Sequence, residues 1–258
     1  MPISAGLHYF LHEGGGVSKP PLVLLHGVGG DHSAWPPEIR RLSEHRVYTL
    51  DLPGHGRSEG PGRQSVEEYA HAIIDFINSV GLSRAVFIGY SMGGAVTLSL
   101  ALDYPDRVAG IGLISTGSRL PIPSSLLENA AHPSTLPLAT KSLLELSLSS
   151  QTPANIKEML SRRLSTTRQT LLLSDLLACD RFDVTDRLDA IHVPTLVICG
   201  TDDKLAPLRY SKTLAAKIPG AALQTVDGAG HMLILEQPRR LTKLLGLFLA
   251  TVPYVPGT

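Results

Sequence analysis

Short apolar runs recur along the chain: "PLVLLHG", "RVYTLDLPG", "RAVFIGYS", "VAGIGLIS", "VPTLVICG" and "AALQTVDG", each closing on Gly, Ser or Asp. A run that is apolar at nearly every position, rather than every second one, marks a strand buried on both faces. Parallel sheets have such strands and gather function at their C-terminal ends. Helical patterns separate the runs, at 65–80, 92–104, 208–218 and 236–250, the first opened by the capping box "SVEE". Strands alternating with helices imply an α/β fold with a mostly parallel central sheet flanked by helices. "LHYFLHE" near the start fits an antiparallel edge strand. The chain's 258 residues, 43% of them hydrophobic, suffice for a large core without disulfides or metals.

The alternation stops after "GLISTGS". Residues 119–178 hold no strand pattern. They begin with "LPIPSS" and "HPSTLP" and continue in leucine-rich helical stretches, "KSLLELSL", "IKEMLSRRL" and "TLLLSDLLA". The apolar content is too high for a linker. The expected organisation is a core of residues 1–118 and 179–258, with a helical cap, 119–178, lying over one end of the sheet.

A formal net charge of zero, with basic residues scattered singly or in pairs, argues against nucleic acid or an anionic membrane as partner. The two cysteines, Cys179 and Cys199, form no C-x-x-C pair and read as reduced, buried thiols. No metal site is expected: no H-E-x-x-H occurs, and His26, His32 and His55 stand on separate loops. No cofactor fingerprint is present. The N-terminus has no signal-peptide pattern, and no run approaches the ~20 apolar residues of a membrane helix. A cytoplasmic protein is the expectation.

"GYSMGG", residues 89–94, places Ser91 between glycines, straight after one strand pattern and before a helical one. Such a turn either leaves a spare hydroxyl or holds up a nucleophile. A nucleophilic serine needs a base, a group that orients the base, and donors for an oxyanion. Downstream of the insertion the histidines are His192, entering a strand, and His231, in the glycine-rich loop after the last strand. Loops at strand ends carry function because a rigid sheet places them, which favours His231. The acid should end another strand: "CGTDDKLAP" offers Asp202 and Asp203, whereas residues 112–127 contain no Asp or Glu. In "LLHGVGGDHSAW" the glycines at 27, 29 and 30 let backbone N–H groups approach a ligand.

"VLLHGVGG", "DLPGHGRS", "GYSMGG", "PTLVICGTDDKLAP" and "GAGHML", in this order and spacing, resemble the motifs of the α/β-hydrolase superfamily, within its compact capped esterase, lactonase and C–C-hydrolase group. The resemblance covers the core and not the cap. It implies Ser91 as nucleophile, His231 as base, Asp203 as the orienting acid, and an oxyanion hole made by the backbone N–H groups of Val28 and Met92. His26 and Asp51 resemble positions that shape the loops around the site. Serine at 91 sets the chain apart from related epoxide hydrolases and haloalkane dehalogenases, which carry Asp there.

The function this implies is a serine hydrolase of small-molecule carboxylic esters with small to medium acyl groups, a carboxylesterase acting through an acyl-enzyme. A lactonase or a meta-cleavage C–C hydrolase is the alternative, with Arg162, Arg163 and Arg168 as anchors for acidic substrates or as solvated helix charges. A ligand receptor with a slow triad is the alternative outside enzymes. Leu136, Leu143, Leu146, Leu160 and Leu164 stand at helical spacing, which fits an acyl pocket and also fits plain core. The cap is expected to set acyl preference without contributing to the triad.

Overall fold

The computed structural model describes residues 2–14 and 19–253. After β1 (Ile3–Ser4), β2 (Leu7–Glu13), β3 (Leu22–Leu25), α1 (Pro37–Arg40) and β4 (Arg46–Leu50), strands and helices alternate. The order is α2 (Val66–Ser79), β5 (Ala85–Tyr90), α3 (Met92–Asp103) and β6 (Val108–Ile114). The chain resumes with β7 (Thr195–Gly200), α8 (Leu208–Lys217), β8 (Ala222–Val226), α9 (Leu233–Glu236) and α10 (Pro238–Leu249). The eight strands form one sheet in the order β1-β2-β4-β3-β5-β6-β7-β8. All pairs are parallel except β1 with β2 and β2 with β4, so "LHYFLHE" is the antiparallel strand anticipated, with a two-residue β1 outside it.

Alternation along the strands builds a core on each face. Val23 and Leu25 of β3 join Ile73, Phe76 and Ile77 of α2 and Val96 of α3, while Leu22 and Leu24 turn to Leu241, Leu245 and Phe248 of α10. α2 starts where the capping box placed it: the Ser65 hydroxyl accepts from the Glu68 N–H at 3.2 Å. Expected helix 236–250 is broken at Gln237, because Pro238 cannot continue α9 and instead opens α10 at its first turn. No helix among the described residues is long and apolar enough to cross a membrane.

Between β6 and β7 lie α4 (Ser124–Ala131), α5 (Leu136–Ser147), α6 (Ala154–Ser165) and α7 (Gln169–Arg181). α4 was not singled out in the sequence. α7 runs on past residue 178, and a bridge between Arg119 and Asp183 closes the neck of the insertion. Its own core is small: Leu126, Ala130, Ala139, Leu143, Leu172 and Leu176.

The tightest passage of the fold is the turn from β5 into α3. A Cβ on Gly89 would stand 2.0 Å from the Gly93 carbonyl oxygen, and one on Gly93 would stand 2.2 Å from that of Leu25. Both obstacles are backbone, so no rotamer relieves them. Gly93→Ala should therefore destabilise by at least about 2 kcal/mol. Gly246→Ala, exposed within α10 with nothing near the added methyl, should stabilise by up to about 1 kcal/mol. Urea unfolding of both variants checks this; an alanine at 93 accepted without loss would contradict the packing of this turn.

Candidate active site

Ser91 sits in that turn with φ 55° and ψ −120°, a backbone conformation unusual for a residue with a side chain. Neighbouring strands hold it there: its N–H donates to the Ile114 carbonyl at 2.9 Å, and its carbonyl accepts from the Thr116 hydroxyl at 2.9 Å. His231, on the loop after β8, brings Nε2 to 2.9 Å from Ser91 Oγ. Its Nδ1 lies 2.9 Å from Asp203 Oδ2 and 3.1 Å from Oδ1. A nitrogen facing a carboxylate carries the proton, so in the neutral ring the Nε2 lone pair points at the serine hydroxyl. Asp203, buried after β7, also accepts from the Ala206 N–H at 2.8 Å. Asp202 is exposed and His192 lies outside the cluster, also exposed.

The Gly27–Gly30 loop lies against the serine: a Cβ on Gly27 would be 2.9 Å from Ser91 Cβ. Among the described residues neither the Val28 N–H nor the Met92 N–H donates to a protein acceptor, leaving both free beside Ser91. The Gly29 N–H is taken by Asp175, on α7, at 2.8 Å.

Roofed by the insertion, a cavity of about 120 Å³ opens over Ser91 and His231. Leu143, Leu160 and Leu164 line it as anticipated; Leu136 and Leu146 do not, and Leu144 and Leu176 do instead. Leu136 packs into the insertion's own core. The insertion also grips the histidine loop, beyond the roofing role expected of it. The Ser147 carbonyl accepts from the Met232 N–H at 3.3 Å. Glu236 accepts from the Gly230 N–H at 2.6 Å and from the Thr152 hydroxyl at 2.5 Å. Of the three candidate anchors, Arg162 pairs with Glu158 on the surface and Arg168 donates to the Gly54 carbonyl. Arg163 lines the cavity but pairs with Asp31 at 2.6 Å. Burial pushes the Asp31 carboxyl up, yet Arg163 outweighs it and holds the group well below the usual carboxylate range.

Of the histidines assigned to separate loops, the fold brings His32 to His8 and Asp51, donors within 4.8 Å of one another. Here the Asp51 carboxylate faces His8 Nδ1 at 2.7 Å and His32 Nδ1 at 2.8 Å, and accepts from the His32 and Arg57 N–H groups. Four N–H donors at hydrogen-bond length fill its lone pairs, which suits a structural knot of loops better than a cation site. Both cysteines are free and buried.

A family model described as alpha/beta hydrolase fold matches residues 20–238. A putative carbamate hydrolase, RutD, from Caulobacter vibrioides is 30% identical, covering 95% of each chain. Among solved structures, the enol-lactonase from Burkholderia xenovorans is 28% identical with a TM-score of 0.84, covering 95% of this chain and 96% of that one. A thermophilic esterase from Thermogutta terrifontis, malate bound, is 28% identical with a TM-score of 0.85, covering 95% and 93%.

Two buried histidines beside the loop are in opposite charge states. His26 Nδ1 faces the Gly27 carbonyl and its Nε2 accepts from the Leu52 N–H at 3.0 Å, so the ring is neutral. Burial, then the charge of His55, pushes its pKa down to about 4. His55 faces an acceptor at each nitrogen, the Pro53 carbonyl at 3.0 Å and Asp175 at 2.8 Å, so it is an imidazolium. Burial pushes this group down, but Asp175 outweighs burial and leaves it raised. The signs follow. Between about pH 4 and 6.5 the unfolded chain binds the proton that folded His26 refuses, so stability falls as pH drops through that window. The contribution of His55 is full below about pH 6.5 and is lost as pH rises through its folded value. In urea unfolding, His26→Asn should be less stable than wild type at pH 7, and the gap should shrink by up to about 3 kcal/mol towards pH 4. A gap constant with pH would contradict the neutral state of His26.

Proposed function

The chain belongs to the alpha/beta hydrolase family and is a hydrolase; from that premise we propose that it is a carboxylesterase, cleaving esters of small to medium acyl chains through an acyl-enzyme. The carrying observation is the run of 2.9 Å contacts from Ser91 Oγ to His231 to Asp203 on the floor of a largely apolar cavity. Ser91 Oγ attacks the ester carbonyl carbon while His231 Nε2 takes its proton. Asp203 holds the ring and stabilises its charged form. The Val28 and Met92 N–H groups receive the oxyanion. The histidine then protonates the leaving alcohol, and water, deprotonated by the same nitrogen, releases the acid.

Leucines and Ile122 around about 120 Å³ suit a short acyl chain better than a fatty one. A lactone is an internal ester and suits the same chemistry. A polar cleft lined by Arg57, Arg168 and the Arg163–Asp31 pair adjoins the cavity at Gly29 and Gly30, and its net positive charge supports acidic lactones as a second reading.

Hydrolysis of p-nitrophenyl esters and labelling by a fluorophosphonate test the assignment. Ser91→Ala should lower kcat by about 10⁴-fold or more and abolish labelling, and Asp203→Asn should cost about 10³- to 10⁴-fold. Asp202→Asn, on the surface, should stay within about threefold. Near-normal turnover by Ser91→Ala would sink the reaction, and a worse Asp202→Asn would move the acid by one residue. Leu143→Ala and Leu160→Ala should shift preference towards longer acyl chains by about 10-fold each, provided the variants fold. Equal losses at every chain length would remove these leucines from the acyl pocket.

A further inference from the structure

Asp175 stands on α7 of the insertion with no exposed surface. Its Oδ2 accepts from the Gly29 N–H and from His55 Nε2, each at 2.8 Å, and its Oδ1 accepts from the Tyr69 hydroxyl at 2.6 Å. One insertion side chain thus reaches the glycine loop, the loop after β4, and α2. A buried carboxylate is costly unless paired, and this one has a cation and two neutral donors.

The geometry around Val28 gives these contacts a consequence. A peptide unit is planar, so holding its carbonyl end aims its N–H. The Gly27 carbonyl is held by His26 Nδ1 at 2.8 Å and by the Gly30 N–H at 3.0 Å, which turns the Val28 N–H of the same unit away from them. The following unit carries the Gly29 N–H and is held by Asp175. The planes on both sides of Val28 Cα are therefore fixed, one from within the loop and one from the insertion.

We propose that Asp175 is a positioning residue for acyl transfer: through the Gly29 N–H it fixes the Val28 backbone and so aims an oxyanion donor. It never touches substrate, since it does not line the cavity. The inference rests on the acyl-transfer reaction proposed above. An ester and its thionoester separate this role from a merely structural one, because sulfur accepts hydrogen bonds poorly and gains little from an aimed donor.

Asp175→Ala, which removes the acceptor of the Gly29 N–H, should lower kcat on the ester by about 10- to 100-fold, with KM within about threefold. The ester-to-thionoester rate ratio should fall in the same proportion. Tyr69→Phe removes a bond from the same carboxylate without touching the loop; it should lower the Tm and leave the ratio unchanged. If Asp175→Ala lowers the Tm and keeps the ratio, Asp175 only fastens the roof and the inference is overturned. Should that variant fail to fold, amide exchange of wild-type Gly29 decides: protection beyond about 100-fold supports the bond, and free-loop exchange overturns it. A wild-type protein that neither hydrolyses esters nor labels at Ser91 would overturn the reaction and this inference together. Normal wild-type labelling with an unchanged Asp175→Ala ratio overturns the inference alone.

Discussion

The carbonyl of Leu25 and the α-carbon of Gly93 come so close that no side-chain atom fits between β3 and the start of α3. That approach lets the chain reverse from β5 into α3 within a single residue, and Ser91 is that residue. Its φ of 55° costs on the order of 1–3 kcal/mol, and the sheet sustains it through the bonds to Ile114 and Thr116. Strand order does the rest. β3 and β6 flank β5, so the glycine loop after β3 and Thr116 after β6 meet Ser91 from opposite sides. β7 and β8 bring Asp203 and His231 from further along the same edge.

Around this turn, buried charge is handled by saturation. Asp51 takes four donors and Asp175 takes three; Asp51 ties β2 to the loops after β3 and β4, and Asp175 ties α2 to the same two loops. His26 and His55 meet at a tilt with ring centroids 4.7 Å apart, and two cations at that distance in a buried site would repel strongly. The partners resolve the conflict: the Leu52 N–H needs a lone pair from His26, and Asp175 needs a proton from His55.

The sheet and its helices were legible because strand burial on two faces leaves a continuous apolar run, and Ser65 and Glu68 mark a helix start by local chemistry. Ser91 and His231 were legible because each follows a strand in a loop with little else to recommend it. Choosing Asp203 over Asp202 needed the family resemblance, and burial now separates them as adjacency could not. Asp175 was hidden because its partners lie 146, 120 and 106 residues away, and contacts that distant leave no local pattern. One signal did exist: a lone carboxylate inside "TLLLSDLLA", where a helix rich in leucine buries most of its faces. The cavity leucines were only partly legible, since Leu136 and Leu164 both pack, half-buried, against the insertion's core, and only the course of α5 and α6 brings Leu164 to the cavity and leaves Leu136 outside it.

The roof's own core is small, and its apolar hold on the main body rests on a few side chains, Leu160 with Leu144, Leu148 and Ile156 on one face and Leu120 with Ala178 on the other. Leu143 and Leu176 belong to that core and also face the cavity, and a side chain facing a cavity gains less from packing than one enclosed. Polar contacts with the main body therefore matter more here than in a larger domain, and those contacts fall on the loops that carry chemistry. Ser147 and Thr152 hold the histidine side, and Asp175 holds the glycine loop. Stability of the roof and alignment of the site are then one equilibrium. A change that loosens the insertion reaches Ser91 from two directions, although no insertion residue hydrogen-bonds to Ser91, His231 or Asp203 among the described contacts. The same coupling runs in reverse under the reaction proposed above: an acyl chain filling the cavity would pack against the leucines of α5 and α6 and so fasten the roof that reaches the two loops through Asp175 and Glu236.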